Sequence, residues 1–166
     1  NMTRSVTVEG RELSIPIQGV LPVYQSIFNR KLVAGRFIDQ NDVDSTARVA
    51  ILGQDVVSGL FPETNPIGQT IRIADVRFTV IGVLEELSGG GFGAPGTNQD
   101  RLIIVPITTA QTRLSNERVI TGDRIVNFTV VQAKDSSRVG EVAQQIRLTL
   151  REEHEIFLAR HGLHLD

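Results

Sequence analysis

The stretch that most restricts the fold of this chain is residues 65–83, NPIGQTIRIADVRFTVIGV. Ile71 and Ile73 flank Arg72, and Val76, Phe78 and Val80 flank Arg77 and Thr79. Alternate side chains of a strand point to opposite faces, so a period of two marks a strand with one apolar side. Two such runs joined at Ala74-Asp75 predict a β-hairpin, entered through a turn at Asn65-Pro66-Ile67-Gly68. Aspartate tolerates a left-handed backbone, so Asp75 suits a tight turn even without glycine.

The same logic reads the flanks. Val6 and Val8, then Leu13, Ile15 and Ile17, predict two strands joined by a turn at Glu9-Gly10-Arg11. Pro22 suits the first turn of a short helix through Tyr24, Ile27 and Phe28. Residues 32–37 are expected to be extended, and the acidic stretch 38–46 a loop that bounds the first segment. Residues 48–53 are apolar on both faces and predict a central strand. Helical spacing of Val56, Val57, Leu60 and Phe61 predicts a helix ended by Pro62. After the hairpin come a glycine loop at 88–100, a strand at 101–106 and a short helix from Thr108 or Thr109 to Leu114. Residues 115–124 read as a second boundary, 125–133 as a strand and 139–160 as a helix. On that helix Val139, Val142, Ala143, Ile146, Leu150 and Phe157 form one stripe, and Gly162 is a fitting stop. The fold class is thus α+β: an outer discontinuous lobe (1–46 and 123–166) around a mostly β insert (47–122).

Composition removes several classes of function. There is no cysteine, so disulfides, thiolate metal sites and a cysteine nucleophile are excluded. A net charge of −2 with dispersed basic residues lacks the clustered positive charge that nucleic-acid phosphates require. Lysine occurs only at Lys31 and Lys134, which argues against a polybasic membrane patch. No run approaches the ~18 apolar residues of a membrane-spanning helix. The opening residues lack the make-up of a secretory leader, and the chain reads as a piece of something longer.

No catalytic set emerges. Gly91-Phe92-Gly93-Ala94-Pro95-Gly96 matches G-x-G-x-x-G, but a dinucleotide site needs its last glycine to open a helix, and here a strand follows. The segment Gly89, Gly90, Gly91, Phe92, Gly93, Ala94, Pro95 and Gly96 reads instead as a mobile loop, able to order on a partner or substrate. His154, His161 and His164 fit a core-edge and helix-end placement better than a metal site. Asp39, Asp42 and Asp44 lie beside Arg36 in the pattern of a turn with local ion pairs and lack the glycine and terminal glutamate of a calcium loop. Glu85-Glu86 follows a strand and reads as solvated. No serine sits in a nucleophile elbow, and no phosphate-binding G-x-x-x-x-G-K-[ST] loop occurs. No enzyme activity and no cofactor are expected.

A series of short phrases then carries a resemblance. Leu32-x-x-Gly35-Arg36-Phe37, Val49-Ala50-Ile51-Leu52-Gly53 and Leu60-Phe61 come first. Asn65-Pro66-Ile67-Gly68-x-x-Ile71-Arg72-Ile73, Phe78-x-Val80-Ile81-Gly82-Val83 and Arg101 to Ala110 follow in order. Over residues 12–154 the chain resembles the MacB-type periplasmic core domain of ABC transporter permeases, a family of macrolide and toxin exporters and lipoprotein-release permeases. The resemblance implies a porter-like α+β lobe carrying an inserted mostly β lobe, placed on the periplasmic or extracellular side of the cell membrane between two membrane helices of the parent. It also implies a permease dimer, a cytoplasmic ATPase and an adaptor protein as partners, with movement passed from ATP hydrolysis to export. Arg36 and Arg72 are expected to hold loops and strands. The rival reading is a stand-alone secreted or periplasmic binding domain that uses the glycine loop as its contact.

Overall fold

The computed structural model describes residues 2–87, 100–114 and 135–161, with side chains as far as Glu152. The chain divides into two compact units, Asn1–Phe128 and Thr129–Asp166. The first is built on strands β1 (Met2–Val8), β2 (Arg11–Val20), β3 (Leu32–Gly35), β4 (Val49–Leu52), β5 (Thr70–Ile73), β6 (Val76–Leu84) and β7 (Ile103–Pro106). Its helices are α1 (Tyr24–Ile27), α2 (Gln40–Asp44), α3 (Gln54–Leu60) and α4 (Ile107–Thr109), the last widening into a π-turn at Ala110–Leu114.

The strands run in the order β3-β6-β4-β7-β2-β1-β5, and β5 also pairs with β6. That extra pairing closes β6, β4, β7, β2, β1 and β5 into a ring, a small mixed barrel. Strand β6 makes closure feasible because it is long. Its first half pairs with β5, its second half with β3 along the same edge, and β4 lies on the other edge. A bulge at Ile81 shifts the register between Ala50–Val80 and Ile51–Gly82 and turns the later residues of β6 the other way.

Alternation decides the interior. Val6, Ile15, Ile17, Ala50, Leu52 and Phe78 belong to the inner core, as do Ile71, Ile73, Val80, Ile103 and Val105. Helix α3 contributes Val56 and Leu60, and the π-turn contributes Ala110 and Leu114. Strands β4 and β7 are antiparallel, so the segments that follow them, α3 and α4, leave from opposite ends of the barrel. Arg4 shares the inward row of β1 with Val6, and its Nε and Nη2 donate to the Leu114 carbonyl at 3.3 and 2.9 Å. Ile51 and Ile104 point the other way, into a second core with Val20, Phe37, Ile38 and Leu84. Two-sided burial of β4 and β7 explains why their sequences are apolar without alternation.

The expected hairpin forms, with Arg72 opposite Arg77 and Ile71 opposite Phe78. Its entry turn is held by the Ile67 amide on Asn65 Oδ1 (3.0 Å), with Gly68 at φ 81°. The left-handed turn residue is Ala74 (φ 50°), and Asp75 is not left-handed. One expectation fails in residues 38–46, which contain helix α2 where a loop was expected. Asp39 accepts from the Asp42 amide, and Asp42 accepts from the Asp39 amide, a reciprocal box that starts the helix. Strands on both sides of residue 46 share the one sheet.

In the second unit, a 3-10 turn (Ser136–Arg138) capped by Asp135 leads into α5 (Val139–His161). Along the expected stripe Val139 is 54% and Leu150 63% exposed, Ala143 is exposed, and Val142 and Ile146 are half-buried; the Phe157 side chain lies outside the described residues. Periodicity marks the face a helix can bury, whereas burial needs a partner surface that no pattern within the helix guarantees. The strand expected at 125–133 lies outside the described residues.

Candidate functional site

The residues that flank the glycine-rich stretch, 84–87 and 100–103, are held by a defined set of hydrogen bonds. Strand β6 ends at Leu84 and β7 begins at Ile103, so the segment between them connects strands, as expected. At its feet the Leu87 amide donates to Asp100 Oδ1 at 3.1 Å. The Asp100 carbonyl accepts from the Asp55 amide (3.0 Å), and the Leu102 carbonyl accepts from the Gly53 amide (2.9 Å). Gln54 Nε2 reaches the Leu84 carbonyl at 3.1 Å. Gly53 is required here, because a Cβ on it would lie 2.2 Å from the Asp100 carbonyl oxygen. Both feet are thereby fastened to the start of α3. Sequence reasoning missed Asp100, whose place at the far foot of a glycine-rich stretch was the available signal. Gly89, Gly90, Gly91, Phe92, Gly93, Ala94, Pro95 and Gly96 themselves lie outside the described residues.

Arg36 does what was expected of it. Its Nη1 and Nη2 donate to Asp42 Oδ2 and Oδ1 at 2.6 and 3.0 Å, and Nη1 lies 3.4 Å from Asp39 Oδ2. The Asp42 side chain is 8% exposed and Arg36 50%. The Arg36 hydrogen bond holds the Asp42 carboxyl below the usual carboxylate range against the opposing effect of burial, and the Asp39 amide adds to it. The same cluster raises the Arg36 guanidinium further. Thr108 Oγ1 donates to the Val43 carbonyl and Thr109 Oγ1 to the Ala47 carbonyl, each at 2.7 Å. These bonds tie the Gly35-Arg36-Phe37 and Pro106-x-Thr108-Thr109 phrases together through α2. Arg72 lies exposed on the barrel's outer wall, and its side chain makes no hydrogen bond or ion pair among the described residues.

Among the described residues no cluster of His, Cys, Asp and Glu could hold a metal ion. His154 and His161 fall within the span of α5, but their side chains, like His164, lie outside the described residues. No helix among the described residues is long and apolar enough to cross a membrane. The arrangement is that of a scaffold: a closed barrel, a charged clasp beside it and a fastened pair of loop feet.

The chain belongs to the family of MacB-like periplasmic core domains, whose model matches residues 1–149. The macrolide export ATP-binding/permease protein MacB of Rhodospirillum rubrum is 33% identical over 156 residues, 92% of this chain and 23% of that protein. The pyoverdine export ATP-binding/permease protein PvdT of Pseudomonas putida is 34% identical over 133 residues, 80% of this chain and 19% of that protein. The chain spans about a fifth to a quarter of the length of these relatives. The extracellular domain of the noncanonic ABC-type transporter YknZ from Gram-positive bacteria shares the fold, with a TM-score of 0.64 and 19% identity over 84% of this chain and 65% of that one. The periplasmic region of MacB from Actinobacillus actinomycetemcomitans does so at 0.61 and 21% identity, over 98% and 64% of the respective chains.

Proposed function

We propose that this domain serves a MacB-like ABC permease as a non-catalytic relay, coupling ATP hydrolysis in the cytoplasm to movement that exports or extracts a substrate or docks an adaptor protein. The family match along residues 1–149 carries the reading. A barrel closed by main-chain pairing and filled with branched aliphatic residues suits a relay, because close-packed interiors transmit displacement with little loss. In this reading the parent is embedded in the cell membrane and works as a homodimer or heterodimer with a cytoplasmic ATPase subunit or domain. In this reading the barrel, to which both 1–46 and 47–122 contribute strands, moves as one piece, and the glycine loop, Gly89 to Gly96, is the contact presented to substrate or adaptor.

The test uses the parent transporter in membranes. The parent is compared with a variant in which residues 89–96 are replaced by a serine-glycine linker of the same length. Export should fall while ATP hydrolysis persists. Export unaffected by the replacement would overturn the assignment of the loop. A parent reading frame without apolar segments of ~20 residues on both sides of the domain would overturn the permease reading itself.

A further inference from the structure

The hairpin carries an arrangement that folding alone does not favour. Arg72 and Arg77 are direct cross-strand partners, both exposed, on the outer wall of the barrel. In a hairpin with a two-residue turn this pair falls at a position without mutual hydrogen bonds, where side chains stand closest. Like charges directly opposite each other destabilise a sheet. The row continues through Thr7 to Glu12, which is engaged by the Ser5 hydroxyl on the neighbouring strand pair. Neither guanidinium has an ion-pair partner among the described residues. Thr70 and Thr79, paired two residues along each strand, add hydroxyls to the same face.

We propose that the Arg72–Arg77 pair is a docking point for a carboxylate-bearing segment of a partner protein. Two guanidinium groups side by side offer planar forks that match carboxylates, and a bound carboxylate would turn their repulsion into shared attraction. The surroundings favour a protein over a bilayer. Among the described residues of this unit, the exposed large apolar side chains Leu21, Val23 and Val33 belong to other segments, and threonine-lined walls have nothing to insert among lipid chains. The inference stands on the hairpin and does not depend on the transport reading.

A hexaglutamate peptide titrated into the 166-residue chain at low salt, followed by amide NMR shifts, tests it. Saturable binding is expected, with the shifts centred on Thr70, Arg72, Arg77 and Thr79. The double variant R72Q/R77Q should weaken it about tenfold or more, the scale of a lost charge-assisted contact. R113Q, on the exposed π-turn, should leave it unchanged. The double variant should melt no lower than the parent, since it removes a repulsion, so lost binding would not reflect lost folding. Absent binding, binding undiminished in the double variant, or shifts centred elsewhere would overturn the proposal. So would inorganic phosphate or phosphatidylglycerol vesicles competing for the pair as strongly as the peptide, or self-association of the chain through it in sedimentation.

Discussion

Arg36 grips Asp42 with two parallel hydrogen bonds, of 2.6 and 3.0 Å, across the junction between β3 and α2. Asp42 also completes the box that starts α2, so one nearly buried carboxylate serves a strand end and a helix start together. Its pKa is lowered in the fold, chiefly by the Arg36 bond. A carboxyl with a depressed folded pKa adds stability above its unfolded value and loses it as pH falls through the folded value. Asp42→Asn is expected to cost about 1–2 kcal/mol at neutral pH, toward the low end because Arg36 can rehydrate. The gap between parent and variant in urea midpoint should shrink on acidification below the ordinary carboxylate range. A gap that stays constant with pH would show that the clasp is not ionic.

Gly35 and Gly82 face each other in the β3–β6 register, and Gly35 has φ +80°. A Cβ on Gly35 would lie 2.0 Å from the Ile81 carbonyl oxygen, the atom that accepts from the Arg36 amide at 2.9 Å. Gly35→Ala should therefore cost more than about 3 kcal/mol, combining left-handed strain with displaced backbone. Gly68 has nearly the same φ, +81°, but open space around it. Gly68→Ala should cost only about 1–2 kcal/mol, the strain alone. Denaturant titration of the two variants separates the causes, and equal losses would refute the steric one.

Ala74 holds a positive φ of 50° in an exposed hairpin turn, while its amide donates to the Ser5 carbonyl of β1 at 2.8 Å. Replacing it by glycine removes left-handed strain of about 1–2 kcal/mol and adds about 0.5–1 kcal/mol of unfolded-chain entropy. Ala74→Gly is expected to stabilise the domain by about 0.5–1 kcal/mol, read as a higher urea midpoint at unchanged slope.

Thr109 is fully buried, and its hydroxyl satisfies the Ala47 carbonyl. Thr109→Val keeps the shape and strands that carbonyl, so a loss of about 1–3 kcal/mol is expected. Thr112 makes the same 2.7 Å bond to the Thr108 carbonyl, but on an exposed turn. Thr112→Val should change thermal stability by less than about 0.5 kcal/mol. Comparable losses at the two sites would mean that burial does not set the cost.

Residues 65–83 dictated their hairpin alone, register included, because a period of two combined with a two-residue turn leaves one pairing that buries Ile71, Ile73 and Phe78 together. The ordered family phrases were equally legible, since each is a local pattern of turns and strand runs. Other features could not be read locally. The closing pair Val6–Ile73 joins residues far apart in sequence, and the division of β4 and β7 between two cores depends on which strands became their neighbours. The feet of the loop met at Asp100 only once β6 and β7 had been placed. Helix α2 was hidden because an acidic loop and a capped acidic helix have the same composition, and the Asp39–Asp42 exchange that separates them is geometric. Strands β1, β2, β4, β5, β6 and β7 and the family phrases were legible locally, because they rest on neighbours along the chain. Barrel closure through Val6–Ile73, the sharing of β4 and β7 between two cores and the meeting of the loop feet at Asp100 followed only from the folded chain, because each depends on groups brought together across the fold.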